Sequence, residues 1–372
     1  MVAGEVSGDL LAALLIEGLQ QRWPQAQGWG IGGPAMQARG FRAQWSYEKL
    51  AVRGYFEVLR HYREIVGIRT QLREQLFAQP PDVFIGVDAP DFNLDLEAAL
   101  RDKGIPTVHF VCPSIWAWRA ERIEKIRRSV DHMLCIFPFE EDLLREQGVA
   151  ATYVGHPLAP VIPMQPDRAA ARQQLGLDAN RKVVALLPGS RRSEIDQLAG
   201  RFLKAAQLMQ AEQPDVQFVL PAVPALHGHV QAAVARAGGL NNLVLLKGQS
   251  HTALAACDVT LIASGTATLE AALFKRPMVI GYHMNALSWA IMRRKKLQPW
   301  VGLPNILAQD FVVPELLQND CTPERLSQET LQWLDDPQRI ARVQQRFEAM
   351  HHTLIRPTAE LATHAIEETL GR

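Results

Sequence analysis

The chain is poor in several features that mark whole functional classes. Its 372 residues hold four cysteines, Cys112, Cys135, Cys257 and Cys321, and none stands in a CxxC pair. No Cys/His group has zinc spacing, so neither a disulfide framework nor a metal site is expected. The thiols read as buried groups of a reducing compartment. His227 and His229 alternate in a loop-like stretch and read as solvated surface histidines. Neither sign of charge is in excess: Lys+Arg and Asp+Glu both number 39. A general nucleic-acid binder would be basic overall, which sets that class aside. No apolar run reaches the ~18 residues of a spanning helix, and the opening residues give no expectation of a signal peptide.

What is present is an ordinary globular composition, 48% hydrophobic and 21% charged, at a length that favours two domains. Short apolar runs alternate with helical patterns, at 83–87, 106–111 and 133–136 in the first half and at 182–187, 216–221, 243–246, 259–263 and 278–282 in the second. That alternation predicts an α/β fold with two parallel sheets and covering helices. Pro160, Pro163 and Pro166 mark a linker within 158–180. The domains are accordingly drawn at 1–160 and 161–345, with C-terminal helices over 346–372. The opening strand, 1–3, is shorter than the usual five or six residues, and several strand residues are expected to precede it; 29–34 reads as a strand end running into a turn. Further helices are expected over 10–23, 52–77, 94–103 and 286–294.

In such sheets a ligand lies at the carboxyl ends of the strands. Three loops of the second half share that rim. The first, 187–191, brings Ser190 and Arg191, whose guanidinium can grip phosphate oxygens bidentately. The second, 247–249, brings Lys247 and Gly248 and backbone that can read a flat base edge. The third, Ser264-Gly265-Thr266, opens a helix whose N-terminal amides and dipole suit a phosphate. Glu270 sits four residues into that helix, within reach of a ribose. Together they describe a nucleoside diphosphate site; a capped helix with a surface glutamate is the alternative. The first half offers residues 4–9, 88–93 and 114–118 on its own rim. Asp88 and Asp91 both stand near a strand end, where a general base belongs, although either could instead cap the following helix. Ser7 is a candidate N-cap for the first long helix.

The strings GEVSGD, GVDAPDFN, PSIWAWR, LPGSRRSEI, ASGTATLE and LPN occur in one order across nearly the whole chain. As a set they resemble the lipid-A-disaccharide synthase family of bacterial glycosyltransferases. The resemblance implies a GT-B fold of two Rossmann-like domains. It implies transfer of 2,3-diacylglucosamine from its UDP-linked form to 2,3-diacylglucosamine 1-phosphate, with inversion, release of UDP, and no metal or other cofactor. It also implies that Asp88 is the candidate base and that Arg191 and Asn305 are needed for activity. Ser264 to Glu270 would then carry the UDP contacts, and Glu5, Ser7, Gly8 and Asp9 would form the acceptor loop. Acylated substrates give the basic and apolar stretch of Arg60, Arg63, Ile65, Val66 and Arg69 a reason to touch an anionic membrane; a packed helix with a solvated basic edge is the alternative. The implied location is cytoplasmic, peripheral on the inner face of the inner membrane. The implied assembly is a homodimer with exchanged C-terminal segments; C-terminal helices that pack back on the first domain are the alternative. A UDP-sugar 2-epimerase of the same fold, and a non-catalytic membrane-attached nucleotide-sugar binding module, are the alternatives.

Overall fold

Short runs of valine, leucine, isoleucine and phenylalanine, buried on both faces, form two all-parallel sheets. A computed structural model describes the chain except residues 51–54, 118–119, 286–288, 290–291, 293–296 and 372; the side chains of 55–62 are also outside the description. The helix expected over 286–294, and Trp118 and Arg119 of the PSIWAWR string, therefore lie largely or wholly outside the described residues. The chain divides into one unit of Met1–Pro157 with Thr353–Arg372 and a second of Leu158–His352.

In the first unit the strands are β1 (Val2–Ala3), β2 (Trp29–Gly32), β3 (Arg42–Ser46), β4 (Phe84–Val87), β5 (Thr107–Phe110), β6 (His132–Cys135) and β7 (Ala151–Tyr153). Their order across the sheet is β3-β2-β1-β4-β5-β6-β7, and all neighbours run parallel. Successive strand residues point to opposite faces, and each face has its own apolar layer. Val2 and Phe84 pack with Ile68, Leu72, Leu96 and Leu100, from the helices Tyr55–Ala78 and Pro90–Arg101. Ala3, Ile85 and Val87 pack on the other side with Leu11, Leu15, Ala362 and Ile366, from the helices Val6–Arg22 and Thr358–Thr369. The C-terminal helix is thus part of this unit's core. Its approach is fixed where Tyr153 Oη donates to the Thr353 carbonyl at 2.7 Å and the His156 amide to the Leu354 carbonyl at 3.0 Å.

The second unit repeats the pattern with β8 (Val183–Leu187), β9 (Gln217–Ala222), β10 (Leu243–Lys247), β11 (Val259–Ala263), β12 (Met278–Tyr282) and β13 (Glu315–Leu317). The order is β10-β9-β8-β11-β12-β13, again parallel throughout. The helices Arg192–Glu212 and Pro323–Asp335 pack against each other over this sheet, burying Phe202, Met209 and Trp333. In both units the chain winds outward in one direction from the first strand and then returns to add a strand on its other side. The topological switch points therefore lie between β1 and β4 and between β8 and β11, where such sheets bind ligands.

Candidate active site

At the second unit's switch point the ends of β8 and β11 open a cavity of about 410 Å³. Its walls include Ser190, Arg191, Gly248, Ser264, Gly265, Thr266 and Glu270. Gly265 takes φ 152°, a backbone that favours glycine, and so turns the chain directly from β11 into the helix Thr266–Leu273. The first amides of a helix have no intrahelical acceptor, and Thr266 and Ala267 both line the cavity. Thr268 Oγ1 donates to the Gly265 carbonyl at 2.7 Å, and Ser264 Oγ to the Val301 carbonyl at 3.0 Å, which fixes the turn. On the β8 side Glu194 reaches back over the loop. Its Oε2 accepts the Ser190 and Arg191 amides at 2.9 and 3.1 Å, and its Oε1 accepts Arg191 Nη1 at 3.1 Å. Gly189 makes room for this: a Cβ there would stand 2.5 Å from that of Glu194. Glu270 Oε2 meets His251 Nε2 at 3.1 Å, and that hydrogen bond raises the pKa of His251.

Most of the sequence-predicted nucleotide residues therefore converge. Lys247 does not line the cavity; it is exposed at the end of β10. Asn305 stands apart for a different reason. It is fully buried, with Nδ2 donating to Val313 O and Glu315 Oε1 at 2.9 Å each. Its Oδ1 accepts the Val312 and Val313 amides at 2.9 and 3.0 Å. That amide is fully used in tying its loop to β13. Residues 221–224 at the end of β9, together with Ser250, also line the cavity; sequence reasoning passed over them, although the same strand-end rule points to 221–224.

In the first unit the turns after β1 and β4 touch: a Cβ on Gly4 would stand 2.5 Å from that of Ala89. Asp88 and Ala89 both take left-handed φ, 52° and 45°. This is an uncommon backbone outside glycine and is held only by its surroundings. The Asp88 amide donates to Phe110 O at 2.8 Å, and its carbonyl accepts Asn93 Nδ2 at 2.7 Å. Burial pushes the Asp88 carboxyl above its ordinary value; the Ala89 amide opposes this, nearby Glu5 adds to it and His109 opposes it. Asp91 differs in every respect. The helix begins at Pro90, four residues before the expected start, because proline suits the first helical turn. Asp91 therefore lies within that turn and caps nothing. It is exposed and accepts Arg122 Nη2 at 2.5 Å.

One member of the expected acceptor loop turns inward. Asp9 is buried, and its carboxylate accepts the Gly33, Ala35 and Met36 amides at 2.8, 2.9 and 3.2 Å, capping the short helix Pro34–Gln37. Ser7 is not a cap, because the helix already begins at Val6. It is exposed, whereas Gly8 is buried, 3.5 Å from the Val87 carbonyl by a notional Cβ. Of the basic stretch, Arg69 is committed to the fold: it donates to Asp95 Oδ2 at 2.8 Å. Ile65 packs on the core, Arg63 is exposed and Val66 half-buried, and the side chain of Arg60 lies outside the described residues. Among the described residues no group of three or more His, Cys, Asp or Glu could hold a metal ion. None of the described helices is long and apolar enough to cross a membrane.

The family model for lipid-A-disaccharide synthetase matches residues 1–369. The chain belongs to the lipid-A-disaccharide synthase family. It is 63% identical to the lipid-A-disaccharide synthase of Albidiferax ferrireducens, over all of this chain and 96% of the relative. Among solved structures it is similar to a UDP-GlcNAc 2-epimerase from Neisseria meningitidis bound to UDP-GlcNAc, with TM-score 0.64 at 15% identity over 99% of this chain and 98% of the other. The calicheamicin glycosyltransferase CalG4 gives TM-score 0.62 at 15% identity over 99% and 96%. At such identities the likeness is one of fold, the two-domain GT-B arrangement of parallel sheets. Membership of the lipid-A-disaccharide synthase family makes the protein a glycosyltransferase of lipid A biosynthesis.

Proposed function

We propose that the protein condenses UDP-2,3-diacylglucosamine with 2,3-diacylglucosamine 1-phosphate, yielding the β-1,6-linked tetra-acyl disaccharide 1-phosphate and UDP. The observation that carries this reading is the switch-point cavity of the second unit. Helix amides, an exposed guanidinium and a carboxylate line it in the order a nucleoside diphosphate would use them. The diphosphate lies on the N-terminus of the helix Thr266–Leu273, near Arg191, and Glu270 takes the ribose. As the bond from the anomeric carbon to the diphosphate breaks, its electron pair moves onto UDP, and Arg191 with the helix terminus stabilises that charge more in the transition state than before it. The acceptor's primary hydroxyl attacks from the opposite face, inverting the centre, and its proton passes to Asp88. A carboxylate raised by burial is a better base than a solvated one.

Partners and location follow the same reading. Arg63 and Val66 contact an anionic membrane on the cytoplasmic face of the inner membrane, and two chains associate as a homodimer. The test is UDP release from UDP-2,3-diacylglucosamine with and without acceptor. Release that requires acceptor supports the transferase. Conversion of the sugar without acceptor would make the protein an epimerase, and neither event would leave a binding module. Asp88→Asn should lower turnover by roughly 10²–10⁴-fold while calorimetry finds UDP affinity unchanged.

A further inference from the structure

Three polar side chains lie directly beneath Asp88, in the layer between the sheet and the helix Pro90–Arg101, where apolar packing is the norm. Asn93 and Glu97 come from the helix, one turn apart, and His109 from β5; all three are fully buried. Glu97 Oε1 and His109 Nδ1 are 2.8 Å apart. Asn93 Nδ2 donates to the Asp88 carbonyl at 2.7 Å and to the Val2 carbonyl at 3.4 Å, bridging β1 and β4 at the switch point. The sheet is shaped to admit them. A Cβ on Gly86 would stand 2.2 Å from Glu97 Oε1 and 3.0 Å from Asn93 Cβ, and the Gly86 backbone hydrogen-bonds the Glu97 carboxyl. Asn93 Oδ1, Glu97 Oε2 and His109 Nε2 find no partner among the described residues.

Stability does not account for this cluster. Polar atoms buried without partners weaken a fold, and buried ion pairs can commonly be replaced by apolar residues at no loss. They attach directly to the rim at the carbonyl of Asp88, whose left-handed backbone needs an external hold.

We propose that Asn93, Glu97 and His109 are positioning residues for the transfer reaction, fixing the Asp88–Ala89 step and the electrostatic setting of the Asp88 carboxylate. This rests on the assignment of Asp88 as the base. The groups facing that carboxylate are Glu5 from the turn after β1, His109 from β5 and the Ala89 amide. Glu97 is in turn set by its burial, His109, the Gly86 backbone and Lys125 of the neighbouring helix. Changing the pair therefore changes what Asp88 senses without touching a reactant.

The test compares Asn93→Ala, Glu97→Gln and the double variant Glu97→Leu/His109→Leu with the parent, all as full chains. Turnover should fall by about 10-fold or more, as expected when a base is slightly misaimed, with KM and UDP affinity near parental. In Glu97→Gln and the double variant the acid limb of the kcat/KM profile should move by about half a pH unit or more. Folded variants with parental turnover and a parental pH profile overturn the proposal. So does loss of folding in both Glu97→Gln and the double variant, which would make the cluster structural. Asp88→Asn separates the two claims. If it is active, the base assignment fails; if it is inactive while the cluster variants behave as the parent, only the positioning role fails.

Discussion

Whether a polar residue of this chain meets solvent or core depends on where its backbone leaves the sheet. Asp88, Asp9 and Asn305 all belong to strings with the look of chemistry. Only Asp88 sits on a switch point, whereas the side chains of Asp9 and Asn305 turn inward to satisfy backbone amides. A sequence does not distinguish these cases, because a capping aspartate and a basic one have the same neighbours along the chain. Glu140 is the same lesson inside the core. It is buried, and loss of hydration pushes its carboxyl up to about 7, against the pull of the Trp116 indole and the Phe137 and Ile136 amides. Below the ordinary carboxylate range it is protonated in both folded and unfolded chains, so it adds no pH dependence there. As pH rises from about 4.5 to about 7 the unfolded chain ionises first and the folded state loses relative stability; above that the loss is complete. At 1.36 kcal/mol per tenfold the penalty is about 3 kcal/mol. Glu140→Gln should flatten this part of the stability curve, read as the difference in melting temperature between variant and parent from acid to neutral pH. A parallel pair of curves would contradict it.

Elements were legible in proportion to their burial. β11 and β12 have the residue bounds their apolar runs suggest, because both are interior strands covered on two faces. Three strands went unread: β3, β7 and β13. Each is a sheet edge. Edge strands are short and half-exposed by design, so β3 shows alternating exposure without an apolar run, and β7 and β13 have only three residues each. The cluster beneath Asp88 was missed as well, although a histidine inside the apolar strand of β5 was a visible irregularity. Helix contacts are equally illegible, yet they decide how glycines behave. A Cβ on Gly18 would meet Thr363 Oγ1 at 2.6 Å and the Ala359 carbonyl oxygen at 2.7 Å, where the helices Val6–Arg22 and Thr358–Thr369 cross. Alanine gains about 1 kcal/mol of helix propensity, but a backbone oxygen cannot give way. Gly18→Ala should therefore destabilise by about 1–3 kcal/mol. Gly67, mid-helix with nothing among the described residues within 4 Å of its notional Cβ, should instead gain about 0.5–1 kcal/mol as alanine. Thermal unfolding of the two variants checks the opposite signs.

For the whole molecule, the chain leaves its first unit after Pro157 and comes back to it at Thr353. The last segment is a wall of the first unit's core: Ala362, Ala365 and Ile366 are buried against Leu11, Leu15 and Val108. Removing residues 353–372 should make the first unit protease-sensitive while UDP affinity, proposed for the second, is retained. Limited proteolysis with calorimetry tests both halves, and a truncated chain as resistant as the parent would refute the first. The same return sets a schedule for birth on the ribosome. The second unit is one unbroken stretch and has its full complement of strands once its own residues have emerged. The first, although synthesised earlier, must wait with an open flank until the helix Thr358–Thr369 is released, so the half whose strands are made first closes only after the second has been made.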